Sequence, residues 1–313
     1  MTTLDRLRDW KNAGTITDEC HRVLAAMVGG ERFSVFLELN ALLYLGVLSL
    51  VGGLGWTFRT YVSDIGDVLI LATLSLLVAG SLAYCFSRAA PFSREEVESP
   101  TAIFDYVLYF GCLTLSVELA YVEVRFELLQ AAWDQYLLAS AVVFMGLAYR
   151  FDNRLVLSLA LSSLAGWFGL RVSALGGISL DSLRLSALVY GAVVATAGAV
   201  LHRQQIKPHL LETYLHIAAH VAFAALVTGI GGPFGTIFLV MLMLLAAVAI
   251  ERGVRSSRFA FVAYGVVYGY VGVSVQVLDG AESVSGVLAY LAMTGTAVIV
   301  LLAVLARRFG REE

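Results

Sequence analysis

Apolar runs of about 20 residues, separated by short clusters of charged residues, dominate this chain. A helix of that length crosses the roughly 30 Å hydrocarbon core of a bilayer. In lipid the backbone must satisfy its own hydrogen bonds, so only helices and closed barrels can span. A barrel would show segments of about ten residues that alternate apolar and polar, and the sequence lacks that pattern. We therefore predict an all-α fold, a polytopic transmembrane helical bundle.

Composition agrees with this fold class. Apolar residues make up 59% of the chain, charged residues 14%, and the mean hydropathy is +0.82, far from the values of a water-soluble globular chain. The apolar runs predict about ten spans, at residues 36–58, 66–87, 102–122, 135–149, 155–170, 183–201, 213–230, 234–250, 259–278 and 286–306. The seventh and eighth are parted only by Gly231-Gly232-Pro233, so a merged or re-entrant pair is the alternative there.

Lys and Arg are distributed unevenly between alternate loops, and cytoplasmic loops are the ones that retain positive charge during insertion. Only four of the 21 basic residues, Arg59, Arg125, Arg171 and Arg184, fall in one set of loops. The other seventeen fall in the opposite set and at the two ends of the chain. We predict that both termini are cytoplasmic and that the chain resides in the inner (plasma) membrane. An odd number of spans would not give this pattern.

The predicted parts of the chain are a cytoplasmic helical hairpin at residues 1–35, a transmembrane domain at 36–306 and a cytoplasmic tail at 307–313. The first 35 residues are polar, and the first apolar run is too long for a cleavable signal. In the hairpin, Gly14 makes the turn and Thr17 caps the second helix. A segment this small cannot bury its own core. We expect it to pack on the membrane domain, on a second copy of the chain in a homodimer, or on a partner protein.

Three stretches carry a family resemblance: LRDWKNAGTITDECHRVLAAM, GWTFRTYVSDIGD and AYRFDNRLVLSLALSSLAGWFG. They resemble the first half of a family of uncharacterised prokaryotic multi-pass membrane proteins, whose members open with a short cytoplasmic helical hairpin built around G-x-I/L-T/S. The resemblance implies that hairpin and a multi-pass topology, and no known activity. In length and in having both termini inside, the chain is also similar to ten-span drug/metabolite exporters.

Four of the five histidines lie between positions 202 and 220. If Pro208 begins a helix, His209, His216 and His220 fall within about 40° of one another on one face. Histidines at i and i+4 can share a metal, and Glu212 would add a ligand or an acid/base group. Haem is disfavoured because histidines one turn apart cannot ligate opposite faces of one iron. The alternative is that the imidazoles line a wet vestibule or bond to neighbouring helices.

Carboxylates within spans form a second candidate site, because a charged group there usually faces protein or water. Glu118 lies about one turn from the outer end of the third span, and Asp105 lies near its inner end. Glu118 is a candidate for a proton relay or cation site, with Arg125 or Arg171 as its partner. The alternative is that Glu118 lies at the interface and simply reaches water.

The ninth span contributes Tyr264 and Tyr268, one turn apart, and Gln276 further out. These side chains are candidates for lining a substrate or ion pathway, and interhelical hydrogen bonding is the alternative. The glycines Gly265, Gly269 and Gly272 on the same span predict close packing of helices.

Motifs for nucleotide binding, a nucleophile elbow, a protease helix or nucleic-acid binding are missing from the sequence, so we expect neither an enzyme nor nucleic acid as a partner. Three hypotheses remain. The first is transport or permeation of a small solute or cation. The second is a non-catalytic membrane subunit or sensor that docks a partner through the N-terminal hairpin. The third is a metal- or haem-binding membrane protein. The bilayer itself is the partner that all three share.

Overall fold

A computed structural model describes residues 3–18, 20–21, 36–128, 134–175, 179–279 and 283–309. All regular structure in those ranges is helical. The α-helices are α1 Thr3–Asn12, α2 Phe36–Ile65, α3 Asp67–Arg88, α4 Ala102–Phe126, α5 Asp134–Phe151, α6 Arg154–Leu175, α7 Leu180–Arg203, α8 Leu211–Gly229, α9 Gly235–Arg255, α10 Phe259–Leu278 and α11 Val284–Phe309. A 3-10 turn, Pro208–Leu210, precedes α8.

Each of the ten predicted spans overlaps one helix, α2 to α11, almost completely. Among the described residues, eight helices are long and apolar enough to cross a membrane: α3, α4 and α6 to α11. The apolar stretch Leu42–Thr57 of α2 is shorter than that criterion, and α5 is 18 residues long with a charge at each end. The chain is therefore a multi-pass α-helical membrane protein. The full count of ten spans and the side on which each terminus lies stay predictions.

Helices α8 and α9 are separate, with no merger across Gly231-Gly232-Pro233. Each of the two is apolar and long enough to span on its own. Gly235 begins α9 and Gly229 ends α8, and tight backbone contacts hold the turn, with Gly232 N donating to Gly229 O at 3.1 Å. The pair is thus a helical hairpin, as expected for antiparallel neighbours joined by a short loop.

Local sequence explains several other helix ends. The Thr101 hydroxyl accepts a hydrogen bond from Phe104 N at the start of α4. Ser179 and Ser182 form a reciprocal capping box at the start of α7. Gly66, between α2 and α3, has a φ of 84°, which only glycine adopts readily.

The helices pack mainly on their neighbours in sequence, most closely in the pairs α5–α6, α7–α8 and α9–α10. One buried apolar cluster joins α3 to α8 around Phe104, Phe144 and Leu157. A second joins α8, α9 and α10 around Phe223 and Leu242. Helix α8 belongs to both, which makes it the central element of the C-terminal half. Helix α11 packs on α10 and buries none of its described residues.

The N-terminal hairpin is only partly described. Helix α1 ends before Gly14, which has a φ of 70°, and Cys20 N donates to Thr17 Oγ1 at 3.2 Å where the next helix begins. The rest of that second helix lies outside the described residues. The hairpin, its partner and the boundary at residue 35 therefore stay predictions.

Candidate functional site

Two pairs of polar side chains join α8 and α10 inside otherwise apolar helices. His216 Nδ1 and Tyr264 OH share a hydrogen bond of 3.1 Å, and His220 Nδ1 and Tyr268 OH share one of 3.0 Å. The four residues are half-buried, and the pairs repeat with the four-residue period that places side chains on one helix face. The predicted histidine face and the predicted tyrosine pair therefore form a single structure.

An ion pair extends this row of polar side chains towards the start of α10. Glu212, one turn before His216, bonds to Arg258 with its Oε1 atom 3.0 Å from a guanidinium nitrogen. We name the row Glu212, His216, His220, Arg258, Tyr264 and Tyr268 the polar track. It begins at the basic end of the bundle, where Arg154, Arg203 and Arg258 lie.

The basic end of the track opens into a polar cavity of about 370 Å³. Its walls carry both signs of charge and include Glu96, Arg154, His209, Glu212, Arg252 and Arg258. Glu96 pairs with Arg154 at 3.0 Å, as Glu212 does with Arg258. Water and small ions can therefore reach Glu212 from this end of the protein.

Aromatic rings enclose the track. Phe261 stacks on His216 with ring centroids 4.8 Å apart, and Phe223 stacks on Tyr268 at 4.6 Å. Phe223 is fully buried, and Leu226, Ile230 and Leu242 pack beyond it in the same cluster. The track thus runs from the basic end to about the middle of α8, where apolar packing closes it.

The structure separates His209 from the other histidines. Pro208 begins a 3-10 turn rather than the α-helix, which starts at Leu211, and His209 Nε2 bonds to Asp152. The predicted metal ligands therefore have four different partners: Asp152 for His209, Arg258 for Glu212, Tyr264 for His216 and Tyr268 for His220. Among the described residues no group of three or more His, Cys, Asp and Glu side chains could hold a metal ion. The metal hypothesis gains no support from this geometry.

Asp152 and Lys207 form a buried ion pair that the sequence analysis missed. Both side chains are 1% exposed, and Lys207 Nζ lies 2.9 Å from Asp152 Oδ2. The same carboxylate accepts hydrogen bonds from His209 and, at 2.7 Å, from Val97 N. Lys207 also donates to Glu95 O at 3.3 Å. We name Asp152, Lys207 and His209 the buried charge cluster. It joins the α3–α4, α5–α6 and α7–α8 connections at the basic end.

Glu118 lies on a different helix pair. The Ser75 hydroxyl of α3 donates to Glu118 Oε1 of α4. The two arginines predicted as partners bond elsewhere: Arg125 to Asp67 at 2.8 Å, and Arg171 to Asp134 at 2.8 Å. Glu118 is therefore hydrogen-bonded between two helices, and its role in a pathway stays a prediction.

The Asp105 carboxylate accepts hydrogen bonds from two other parts of the chain. Its Oδ1 atom accepts from Ser99 Oγ at 2.7 Å and from Asn153 Nδ2 at 2.8 Å, and Asn153 Oδ1 in turn caps α6 by accepting from Val156 N. These bonds tie the start of α4 to the α5–α6 turn. Gln276 is exposed on α10, two turns beyond Tyr268.

The missed residues had signals too weak to interpret without the structure. Asp152 and Lys207 lie in loops that the charge pattern already assigned to one side of the membrane, so nothing marked them as buried. Both adopt positive φ, 59° for Asp152 and 48° for Lys207, which is uncommon for residues other than glycine. Nothing in the sequence distinguishes Ser75 from other serines within spans, and its contact with Glu118 is seen only in the folded chain.

Residues 8–157 match the model of a family described as "Predicted membrane protein (DUF2157)". No curated protein and no solved structure matches the chain significantly. Of the three stretches on which the family resemblance rests, the matched region contains the first except Leu7, the whole of the second, and residues 148–157 of the third. It includes Asp105, Glu118 and Asp152, whereas the polar track and Lys207 lie beyond it. The match agrees with a multi-pass membrane protein, and the likeness to exporters stays a prediction.

Proposed function

We propose that this membrane protein transports a small cation or solute, and that the polar track carries the protons or cations. The observation that supports the proposal is the repeat of His216–Tyr264 and His220–Tyr268 one turn apart between α8 and α10. A membrane helix excludes polar side chains unless they bond or conduct, and histidine chains are a common proton relay in transport proteins.

The chemistry of the pairs suits proton transfer. A neutral imidazole has one donor and one acceptor nitrogen, and a phenol can donate and accept, so each pair can pass a proton by exchanging donor and acceptor roles. Glu212 and Arg258 lie between the first pair and the polar cavity. We infer that they form the entry from the basic end, which the distribution of basic residues predicts to be cytoplasmic.

Closure by Phe223 fits a transporter better than an open channel. The buried Phe223 ring stacks on Tyr268, and apolar residues fill the region beyond. A site near mid-membrane that is reached from one side is the arrangement of an alternating-access transporter. In our proposal, access from the opposite side requires Phe223 to move.

The test is proton flux into proteoliposomes with a trapped pH-sensitive dye, driven first by a pH gradient and then by Na⁺ and K⁺ gradients. We expect the wild-type protein to carry flux, and the double variant His216→Gln and His220→Gln to fall to the rate of protein-free liposomes. Tyr268→Phe, which removes one hydroxyl from the track, should also lower the rate.

Tyr270→Phe is the matched control. Tyr270 is on the same helix and bonds to Thr294 of α11 at 3.0 Å, away from the track, so its loss should leave the flux unchanged. Glu118→Gln distinguishes the second candidate pathway. Flux that survives the histidine variants but is lost in Glu118→Gln would move the path to α3 and α4. Absence of flux from the wild-type protein in all gradients would contradict the proposal.

A further inference from the structure

An apolar groove of about 460 Å³ runs along α8 between α7 and α9. Small residues make its floor, with Gly191 and Ala195 on α7 and Ala218 and Ala222 on α8. The floor is tight, since a Cβ atom at position 191 would lie 3.1 Å from Ala218 O. Larger side chains of α9 make the other wall, where Met241 and Val248 are exposed on the side that faces lipid.

The length of the groove matches one leaflet. It follows α8 from Leu215 to Leu226, roughly 16 Å at 1.5 Å per residue. Half of the hydrocarbon core is about 15 Å thick. The groove therefore extends from the basic end to about the midplane of the bilayer.

The groove is narrow. A volume of about 460 Å³ over that length corresponds to a mean cross-section of roughly 29 Å². A single hydrocarbon chain is narrow enough to fit.

Charge at the basic end completes the site. The apolar groove and the polar cavity share three wall residues, Leu215, Arg252 and Phe261, so the two lie side by side. Arg154 and Arg258 are each paired with a glutamate, whereas the Arg252 guanidinium has no carboxylate partner within the described part of the chain. An arginine at the end of an apolar groove, at headgroup depth, is complementary to a phosphate.

We propose that the groove holds one acyl chain of an anionic phospholipid, with the lipid phosphate on Arg252. The bilayer supplies such lipids on this face, and the headgroup would sit at the mouth of the polar cavity, beside the entry to the track. This site is distinct from the track residues and does not depend on the transport proposal.

The test is native mass spectrometry of the delipidated full-length protein, titrated separately with phosphatidylglycerol, phosphatidylcholine and inorganic phosphate. We expect one phosphatidylglycerol to bind more tightly than the rest, and phosphate alone not to bind. Arg252→Gln should weaken phosphatidylglycerol binding about fivefold, which corresponds to the loss of about 1 kcal/mol for one basic residue near the surface. Phosphatidylcholine binding should weaken less, because the choline charge offsets that of its phosphate. Ala192→Phe, which fills the exposed side of the groove, should weaken both lipids.

Two matched variants control for general effects. Arg255→Gln removes a cation of the same helix end that is paired with Glu251 and lines neither cavity. Val189→Phe places the same aromatic side chain at an exposed position of α7 outside the groove. Thermal unfolding checks that every variant is folded. Equal weakening by Arg252→Gln and Arg255→Gln would show only surface attraction and overturn the proposal, as would wild-type lipid binding by folded Ala192→Phe.

Discussion

At the scale of single residues, the buried charge cluster is the least expected feature of the chain. Removing two charges from water is costly, and the cost is repaid only when the pair has good geometry and further hydrogen bonds. Asp152 meets that condition, because Lys207, His209 and Val97 N all bond to its carboxylate. Loss of one partner would leave the other as an unpaired buried charge.

We predict that Asp152→Asn and Lys207→Met each destabilise the protein by about 3–5 kcal/mol. Asparagine tolerates the left-handed backbone of position 152, so the effect reports the charge rather than strain. Unfolding in SDS titrations measures the change. The double variant should lose less than the sum of the two single losses, because it removes both charges together.

Glu251→Gln is the control for this prediction. It breaks the exposed pair with Arg255, which should contribute less than about 1 kcal/mol. Additive losses in the double variant would show that Asp152 and Lys207 are not energetically coupled.

At the scale of elements, the glycines of α10 determine how closely this helix packs on α9. A Cβ atom at Gly265 would lie 2.6 Å from Ala246 O of α9, so α9 and α10 are in backbone contact there. That contact fixes how α10 is rotated, and with it the direction in which Tyr264 and Tyr268 point. Small residues at helix interfaces allow this approach in membranes, where burial from water does not drive association.

We predict that Gly265→Ala destabilises the protein by about 1–3 kcal/mol, because the new methyl group must push α9 and α10 apart. It should also lower transport, since the tyrosines of α10 move with the helix. Gly80→Ala is the matched control on α3, where a Cβ would meet nothing within 4 Å. There the helix-forming preference of alanine should leave stability equal or slightly raised. A Gly265→Ala protein as stable as wild type would refute the close contact.

At the scale of the whole molecule, the order of helices follows the order of the chain. Neighbouring helices form the closest pairs, and contacts between helices further apart in sequence join α2 to α4 and α8 to both α6 and α10. The C-terminal half carries the polar track, the groove and most of the wall of the polar cavity, whereas the family match covers residues 8–157. Which side of the membrane each of these features faces depends on the number and direction of the spans.

We predict that both termini are cytoplasmic and that all ten helices from α2 to α11 cross the bilayer. In a variant without Cys20, Cys85 and Cys112, single cysteines at Ser179 and Ser283 should react with an impermeant maleimide on intact cells. A cysteine at Ser257 should react only after the cells are opened. Labelling of Ser257→Cys from outside would reverse the orientation, and the same side for Ser257 and Ser283 would remove α10 as a span.

The positions of the membrane helices follow from the sequence alone. Apolar runs set by bilayer thickness predict positions that agree with α2 to α11, because that constraint acts on each segment independently. His216, His220, Tyr264 and Tyr268 are also recognisable in the sequence, since they are polar side chains within apolar runs. Their partners depend on the tertiary structure. Which helices face one another depends on packing between distant segments, and a single sequence does not encode such a pairing in a local pattern. For the same reason, the burial of Asp152 with Lys207 and the displacement of His209 from the histidine face emerged only from the folded chain.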